Sequence, residues 1–350
     1  MDNIVDKNME VPAKIERTDI VWYNASQEPI KIYGAAEKYQ RLPADFPILE
    51  GFKRHSTGVR ARFVTDSPFV AIHTRFSGTY CPTIMAPSAI YGFDLYKRNK
   101  SASESFVNSF KPPEEAKNTG YESLIETGEE KNCYTVNMPL LSSVTELYIG
   151  IKKGSCLESA PDYNRLNKPV VFYGSSITNG ASASRPGNTY CAMISQKLGL
   201  NHINLGFSGN AKVEKEIAEY IAGLKMCALV LEYHHNAYDL KLLRDTHYNF
   251  YKTVRLKNPF IPIIFVTAPS VKIDDPWILG GLRIIQDTYR RAKEDGDRYV
   301  YFVDGCRIYN GEYSESCTVD GTHPNDLGFS RMANVIGNTL AAALENEVKL

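Results

Sequence analysis

The chain has 350 residues, 43% hydrophobic and 23% charged, which is a globular composition that excludes long disordered, collagen-like and coiled-coil chains. Forty basic residues balance forty acidic ones, so a nucleic acid bound through its phosphates is not an expected partner. No apolar run approaches the roughly 20 residues that a membrane-spanning helix needs. At about 150 residues per domain, the length favours two domains.

The N-terminus and the cysteines bear on where the protein works. Residues Met1–Lys7 are acidic in character and no apolar core follows them, so no secretion signal is expected. The seven cysteines are an odd number, and no two have the spacing of a Cys-x-x-Cys zinc or redox motif. We therefore predict a cytoplasmic protein with reduced thiols and no membrane partner.

Residues 1–160 are predicted to form a β-sandwich or jelly-roll domain without helices. Apolar and polar residues alternate after Gly58, which places Val59, Ala61 and Phe63 on one face of a strand. The turn Thr65–Pro68 and a second apolar run predict a hairpin. The second strand of this hairpin is Phe69–Phe76, later strands are predicted at Ala89–Tyr96 and Val144–Ile151, and Lys111–Lys131 is predicted to be a long solvated loop.

Residues 168–350 show a different pattern, which begins after the polar connector Ser155–Lys168. Strands are predicted at Val170–Tyr173, His202–Leu205, Ala228–Glu232, Ile263–Val266 and Tyr299–Val303. Helices are predicted near Tyr190–Leu198, Val213–Leu224, Leu240–Leu256, Leu282–Lys293 and Leu327–Leu344. This alternation indicates a parallel sheet covered by helices on both faces, with ligands at the carboxyl ends of the strands.

Candidate catalytic residues follow the first three of these strands. A tight turn from strand to helix would expose Ser176 as a nucleophile, although a Ser/Thr capping turn is the alternative. Gly209 could bring a backbone N–H close to a ligand, or it could simply permit a turn. The amide of Asn236 could donate to an oxyanion. The adjacent His234 and His235 have no carboxylate or cysteine at ligand spacing, so no metal is expected.

Asp320 and His323 follow the last strand. At a spacing of three in a turn, the carboxylate can bind the ring N–H of His323 and leave the other nitrogen as a base. An Asp that caps the turn beside an exposed His is the alternative. Because all these residues follow strands at one edge of a sheet, we expect a nucleophile, a base with its orienting acid, and oxyanion donors. Such chemistry requires no metal or organic cofactor.

These residues resemble the four blocks of the SGNH (GDSL) hydrolase superfamily. Gly174–Thr178 is similar to the Gly-Asp-Ser-Leu block, Gly206–Asn210 to the second block, Asn236 to the Asn of the third, and Asp320–His323 to the Asp-x-x-His block. The resemblance covers about residues 168–345. It implies a flavodoxin-like, three-layer α/β hydrolase domain with a five-stranded parallel sheet.

The resemblance also implies roles for individual residues. Ser176, His323 and Asp320 would form the catalytic triad, and the backbone N–H groups of Ser176 and Gly209 would form an oxyanion hole with the Asn236 amide. The chain departs from the family in two places. It has Ser175 where the first block has Asp, and the third block reads His-Asn-Ala at residues 235–237 instead of Gly-x-Asn-Asp.

The first part of the chain resembles the β-sandwich domain that precedes the hydrolase domain in one bacterial subgroup. Tyr39–Pro43 and Gly58–Phe63 are similar to segments of that domain, and Tyr91–Tyr96 carries its Gly-x-Asp-Leu-Tyr signature. Proteins of this subgroup are often grouped with carbohydrate acetylesterases. The resemblance implies a serine esterase that removes short acyl groups, with acetyl expected, from a small-molecule or oligosaccharide ester.

Substrate contacts and alternative functions stay open at this point. Trp277, in the polar loop Val271–Trp277, could stack on a sugar ring or anchor the loop, and His235 could line the pocket. The same triad would serve an acyltransferase in which an acceptor alcohol replaces water. A non-catalytic glycan-binding module is the third alternative. A second copy of the chain, in a homo-oligomer, is the further partner considered.

Overall fold

A computed structural model describes residues 11, 13–34, 56–164, 168–212 and 214–348 of the chain. The strands of the first part, in chain order, are β1 (Ile20–Asn24), β2 (Lys31–Tyr33), β3 (Arg60–Thr65), β4 (Phe69–Thr79), β5 (Phe93–Arg98), β6 (Glu104–Phe110), β7 (Gly120–Glu126), β8 (Asn132–Asn137), β9 (Ser142–Lys152) and β10 (Leu157–Ser159). A short helix, α1 (Pro87–Ile90), precedes β5. The predicted segment Tyr39–Pro43 lies outside the described residues.

These ten strands form two antiparallel sheets that pack face to face. One sheet has the order β1-β9-β4-β7, and the other has the order β10-β3-β8-β5-β6 with β2 beside β3. Phe76 of the first sheet stacks on Phe93 of the second, with ring centroids 6.4 Å apart. Tyr121 of the first sheet also contacts the Phe93 ring. The predicted sandwich is therefore confirmed.

The predicted hairpin is wrong, because β3 and β4 belong to different sheets. The turn between them crosses the sandwich. Its Ser67 hydroxyl is buried, donates to the Phe69 carbonyl and accepts from the Lys152 backbone N–H, which ties the turn to β9. Val59, Ala61 and Phe63 are buried as predicted. A strand followed by a turn and a strand cannot by itself distinguish a hairpin from a connection between sheets.

Two further assignments in the sandwich are wrong. Lys111–Lys131 is not a solvated loop, since it holds a 3-10 turn at Glu114–Asn118 and then the strand β7. Tyr121 and Ile125 of this segment are buried in the core, and the Tyr121 hydroxyl donates to the Phe110 carbonyl at 2.9 Å. The run Ala89–Tyr96 begins in the helix α1, and its strand starts only at Phe93.

The second part contains a five-stranded parallel sheet with the order β12-β11-β13-β14-β15. Its strands are β11 (Val170–Gly174), β12 (His202–Gly206), β13 (Ala228–Glu232), β14 (Ile263–Val266) and β15 (Val300–Val303). Its helices are α2 (Ser176–Asn179), α3 (Tyr190–Leu198), α4 (Lys215–Ala222), α5 (Leu240–Lys257), α6 (Pro276–Glu294) and α7 (Asp326–Val348). The strand order is the flavodoxin-like one, which confirms the predicted fold class. No helix in the described part of the chain has the length and apolar character needed to cross a membrane.

Successive residues of the inner strand β11 face two different cores. Val170 and Phe172 pack in one core with residues of α3 and α7, whereas Val171 and Tyr173 pack in the other with residues of α4, α5 and α6. The first core continues into the sandwich. The predicted stripe of α7 is buried in this core: Phe329, Met332, Ala333, Ile336 and Leu340.

Polar contacts also join the two parts. Arg60 of β3 is buried, and its guanidinium donates to the Asn201 side chain at 2.6 Å and to the His202 carbonyl at 3.3 Å. The Thr57 hydroxyl accepts from the Asn179 amide at 3.3 Å. Both faces of β3 are therefore covered, one by the sandwich core and the other partly by the parallel sheet. This places the sandwich beside the nucleophile turn that ends in Asn179.

Candidate active site

The turn after β11 exposes one serine among buried residues. Ser175 caps α2 by accepting from the Ile177 N–H at 3.1 Å, and Ser176, half-buried, is the first residue of that helix. Gly174 is required here, because a Cβ atom would lie 2.1 Å from the Thr178 hydroxyl oxygen and 2.3 Å from the Glu232 carbonyl oxygen. The close approach of backbone and side chains therefore fixes the position of Ser176 at the switch point of the sheet.

Ser176, His323 and Asp320 form one chain of hydrogen bonds. Ser176 Oγ lies 2.9 Å from His323 Nε2, and His323 Nδ1 lies 2.7 Å from Asp320 Oδ2. The other Asp320 oxygen accepts from the backbone N–H groups of Thr322 and His323. Burial opposes ionisation of Asp320, but the hydrogen bonds from His323 and Thr322 outweigh it and lower the pKa of this carboxyl. The arrangement suits a base that is oriented by a carboxylate.

Of the predicted oxyanion donors, Ser176 and Gly209 line the cavity described below, whereas Asn236 is not among its lining residues. Gly209 has a φ of +72°, which favours glycine. Asn236 is buried in a 3-10 turn after β13, and its side-chain oxygen accepts from the Ala211 N–H at 3.1 Å. Within the described residues no hydrogen bond uses the Asn236 amide nitrogen, which is thus available to a ligand. The hydrogen bond from the Ala211 N–H to Asn236 thus joins the residue after the second motif to the third motif.

A cavity of about 440 Å³ opens above Ser176 and His323. Both parts of the chain line it: Tyr80, Pro82, Ile84, Met85 and Leu141 from the sandwich, and Ser176, Asn179, Ala181, Ser208, Gly209, Tyr238 and His323 from the second part. Tyr80 and Tyr238 are 63% and 70% exposed, so these two lining residues lie at the mouth of the cavity. The sandwich side is mostly apolar.

Trp277 and His235 do not line this cavity. Trp277 lies in the first turn of α6, which Asp275 caps, and not in a loop. Its ring packs against His234 at 4.4 Å and His235 at 5.8 Å between centroids. His235 Nε2 bonds the Pro269 carbonyl, and burial lowers the pKa of this imidazole to about 4. Trp277 and His235 therefore pack against each other outside the cavity lining, and the substrate contacts proposed below involve Tyr80 and Tyr238 instead.

Glu232 and the sandwich wall of the cavity were not predicted from the sequence. Glu232 is a fully buried carboxylate at the end of β13, and a charged residue that closes an apolar strand was the available signal. No comparable signal marks residues 80–85, because their place at the cavity depends on how the two parts pack. Among the residues that the structure describes, no cluster of three or more His, Cys, Asp or Glu could hold a metal ion.

Similar proteins were found by family and by structure. Residues 167–341 match the GDSL-like lipase/acylhydrolase family, and residues 20–157 match the GxDLY family, described as the N-terminus of SGNH-hydrolase-type esterases. No similar sequence was found among curated proteins.

Solved structures resemble the chain over nearly its whole length. A protein from Bacteroides ovatus named as a GDSL-like lipase is 28% identical, with a TM-score of 0.81 over 93% of this chain and 98% of that one. A salicylyl-acyltransferase from a tetracycline biosynthetic pathway is 19% identical, with a TM-score of 0.75 and the same coverage. A family two carbohydrate esterase from Clostridium thermocellum, solved with cellohexaose, is 13% identical, with a TM-score of 0.62 over 90% of this chain and 99% of that one.

The family match covers the segment that carries the serine, the glycine, the asparagine and the Asp-His pair. The parallel sheet brings these motifs to one edge. With the sandwich matched separately in front of it, the chain belongs to the GDSL-like lipase/acylhydrolase family and is built as a two-domain SGNH-type hydrolase with an esterase-type N-terminal domain.

Proposed function

We propose that the protein is a serine esterase that removes short acyl groups, acetyl above all, from carbohydrate esters through an acyl-enzyme. The observation that carries this proposal is the hydrogen-bonded chain from Asp320 through His323 to Ser176 at the cavity floor. A non-catalytic glycan-binding module would not need this chain. We keep the predicted cytoplasmic location within the proposal, which the seven free cysteine thiols support.

In the proposed reaction, His323 Nε2 takes the proton of Ser176 as its Oγ attacks the ester carbonyl carbon. The N–H groups of Ser176 and Gly209 and the Asn236 amide donate to the developing oxyanion. The bond between the acyl carbon and the sugar oxygen then breaks, His323 gives its proton to that oxygen to form the sugar hydroxyl, and the acyl group stays on Ser176. Water, deprotonated by the same imidazole, attacks the acyl-enzyme and releases the acid. Asp320 holds the imidazole and stabilises its cationic form.

The cavity mouth supports a carbohydrate as the leaving group. Tyr80 and Tyr238 expose most of their rings beside Ser176, where a pyranose could stack on one face and reach a phenol hydroxyl with its own hydroxyls. The volume is in the range of small-molecule sites. Several of the similar structures are named as family two carbohydrate esterases, and a further one is named as an acetyl xylan esterase from Butyrivibrio proteoclasticus.

An experiment on Tyr80 and Tyr238 tests the carbohydrate part of the proposal. We expect Tyr80→Ala and Tyr238→Ala each to raise KM for an acetylated xylo-oligosaccharide by about fivefold, since a ring contact contributes about 1 kcal/mol. Hydrolysis of methyl acetate, which offers no ring to stack, should change little. Tyr313→Ala is the matched control, because Tyr313 is 63% exposed but does not line the cavity. Equal losses on both esters would contradict a sugar contact.

Acyl transfer is the second candidate. The apolar sandwich wall, formed by Pro82, Ile84, Met85 and Leu141, shields one side of the cavity from water. A bound acceptor alcohol could then intercept the acyl-enzyme in place of water. Increasing concentrations of glycerol or xylose in the p-nitrophenyl acetate assay separate the two reactions. Free acetate should remain the main product of a hydrolase, whereas a transferase would give acetylated alcohol.

A further inference from the structure

A buried carboxylate lies directly beneath the nucleophile turn. Glu232 ends β13, pairs with Gly174 in the sheet and is fully buried. Its Oε2 atom accepts from Ser175 Oγ at 3.0 Å and from Thr178 Oγ1 at 2.9 Å. Its backbone carbonyl also accepts from the Ser175 N–H. Ser175 and Thr178 lie on either side of Ser176, so one residue holds the turn at both ends.

The network extends beyond these two hydroxyls. Because the Thr178 hydroxyl donates to Glu232, its contact of 2.9 Å with the Tyr190 hydroxyl must be one in which Tyr190 donates. Ser175 Oγ likewise donates to Glu232 while it accepts from the Ile177 N–H. The hydroxyls of Ser175, Thr178 and Tyr190 therefore all donate in the direction of Glu232. An ionised carboxylate suits the end of such a network because it only accepts hydrogen bonds.

This carboxylate has no cationic partner among the described residues. Three titratable side chains interact electrostatically with the Glu232 carboxylate, those of Tyr190, Cys191 and Tyr309, and none of them carries a positive charge. Its second oxygen, Oε1, is buried and has no hydrogen bond within the described part of the chain. Burial raises the pKa of Glu232 to about 7, and the hydrogen bonds from Thr178 and Ser175 limit that rise. A buried, unpaired carboxylate destabilises a fold, so packing alone does not account for it.

We propose that Glu232 is a positioning residue for ester hydrolysis, whose carboxylate fixes the turn that carries Ser176 through Ser175 and Thr178 without touching substrate. This inference rests on the proposed function. Charge-assisted hydrogen bonds are roughly twice as strong as neutral ones, so protonation of Glu232 loosens both ends of the turn. The rate should therefore fall as the pH drops through neutrality, because the Glu232 carboxylate takes up a proton.

Glu232→Gln tests this directly, because it keeps the size and one acceptor oxygen but removes the charge. We expect kcat for p-nitrophenyl acetate to fall by roughly 10–100-fold, as misplaced catalytic groups do, with KM within about twofold. The acid limb of the pH profile of kcat should lose one ionisation. A folded Glu232→Gln protein with the wild-type kcat and the wild-type pH profile would overturn the proposal.

A double-mutant cycle separates positioning from general packing. If Glu232 acts through the two hydroxyls, the effect of Glu232→Gln should shrink in a Ser175→Ala, Thr178→Val background. A full, additive effect in that background would overturn the proposal. If Glu232→Gln does not fold, Ser175→Ala and Thr178→Val carry the test alone. Each should lower kcat and alter the acid limb, and wild-type values in both would refute the role.

Labelling by a fluorophosphonate distinguishes failure of this inference from failure of the proposed function. The wild-type protein should be labelled on Ser176, and the Glu232→Gln protein should be labelled more slowly. An unlabelled wild-type protein would refute the serine esterase. A wild-type protein labelled on Ser176 and a Glu232→Gln protein labelled at the same rate would refute only the positioning role.

Discussion

The carboxylate of Asp94 in the sandwich forms a buried ion pair with Arg185, on the segment that follows the nucleophile turn, at 3.1 Å. Asp94 is fully buried and also accepts from the Gly187 N–H at 2.7 Å and the Asn137 amide at 2.8 Å. Burial raises the pKa of this carboxyl, and Arg185 opposes the rise. Asp94 is the acidic residue of the Gly-x-Asp-Leu-Tyr signature, whose physical role here is to join the two parts.

Loss of Arg185 should therefore destabilise the whole protein. Arg185→Met leaves Asp94 buried without its cation, and breaking such a pair typically costs about 3–5 kcal/mol of unfolding free energy. Urea unfolding at neutral pH measures this loss. The exposed pair of Arg290 with Glu294 provides the control, since Arg290→Met should leave the midpoint unchanged. Equal midpoints for the two variants would show that the Asp94 pair does not join the parts.

A single added methyl group should disable the nucleophile turn. In Gly174→Ala the new Cβ atom would lie 2.1 Å from Thr178 Oγ1 and 2.3 Å from the Glu232 carbonyl oxygen, so the turn must move. We expect p-nitrophenyl acetate hydrolysis to fall by at least about 100-fold. Gly78→Ala, where no atom of the described residues lies within 4 Å of the added Cβ, should keep full activity. An active Gly174→Ala protein would mean that the turn tolerates displacement.

Asn236 offers a test of the oxyanion hole that spares the local structure. Asn236→Asp keeps the oxygen that accepts from the Ala211 N–H but replaces the amide donor. Losing one such donor typically lowers kcat by about 10²–10³, and the added negative charge can only deepen the loss. Steady-state kinetics and a melting curve measure activity and folding separately. A stable variant with kcat within threefold of wild type would remove Asn236 from the oxyanion hole.

The raised pKa of Glu232 gives stability a defined pH dependence. Its pKa rises from an ordinary 4.5 to about 7, so the folded protein holds this proton more tightly. The resulting stabilisation is complete below pH 4.5 and is lost as the pH rises through 7. Relative to wild type, Glu232→Gln should therefore gain up to about 3 kcal/mol in unfolding free energy between pH 4.5 and 8.

The Glu232→Gln protein must be compared with the wild type at each pH, because the buried histidines change the free energy of unfolding with pH in the direction opposite to Glu232. Burial lowers the pKa of His234 and His247 to about 3, so their contribution is lost as the pH falls below their ordinary value of 6.5. Both proteins carry these histidines, and the difference between them isolates Glu232. A difference that stays constant from pH 4.5 to 8 would contradict the raised pKa.

The parallel sheet could be predicted because each strand is a buried apolar run followed by a helix. Ala228–Glu232 and Ile263–Val266 have the predicted bounds, and α3 coincides with Tyr190–Leu198. The helix α6 begins at Pro276, earlier than the predicted Leu282, because Asp275 caps it and proline fits its first position. The helix predicted at 213–224 occupies Lys215–Ala222, and residue 213 lies outside the described residues.

The sandwich was less predictable because its contacts are distant in sequence. Pairing between β4 and β9, or between β3 and β8, joins residues that no local pattern relates. The same holds for the cavity wall around Pro82 and Met85, which depends on packing between the two parts. The motif residues were predictable because each follows a strand. The domain boundaries at residues 160 and 168 stay a prediction.

Hydrolysis of p-nitrophenyl acetate by the wild-type, Ser176→Ala and His323→Ala proteins, measured side by side, tests the central claim most directly. The account predicts turnover by the wild type and its loss in both variants, while circular dichroism and melting curves remain those of folded protein. Ser176 Oγ and His323 Nε2 lie 2.9 Å apart, so neither should act without the other. If either variant, folded, retained more than about a few per cent of activity, the assignment of this pair as nucleophile and base would be wrong.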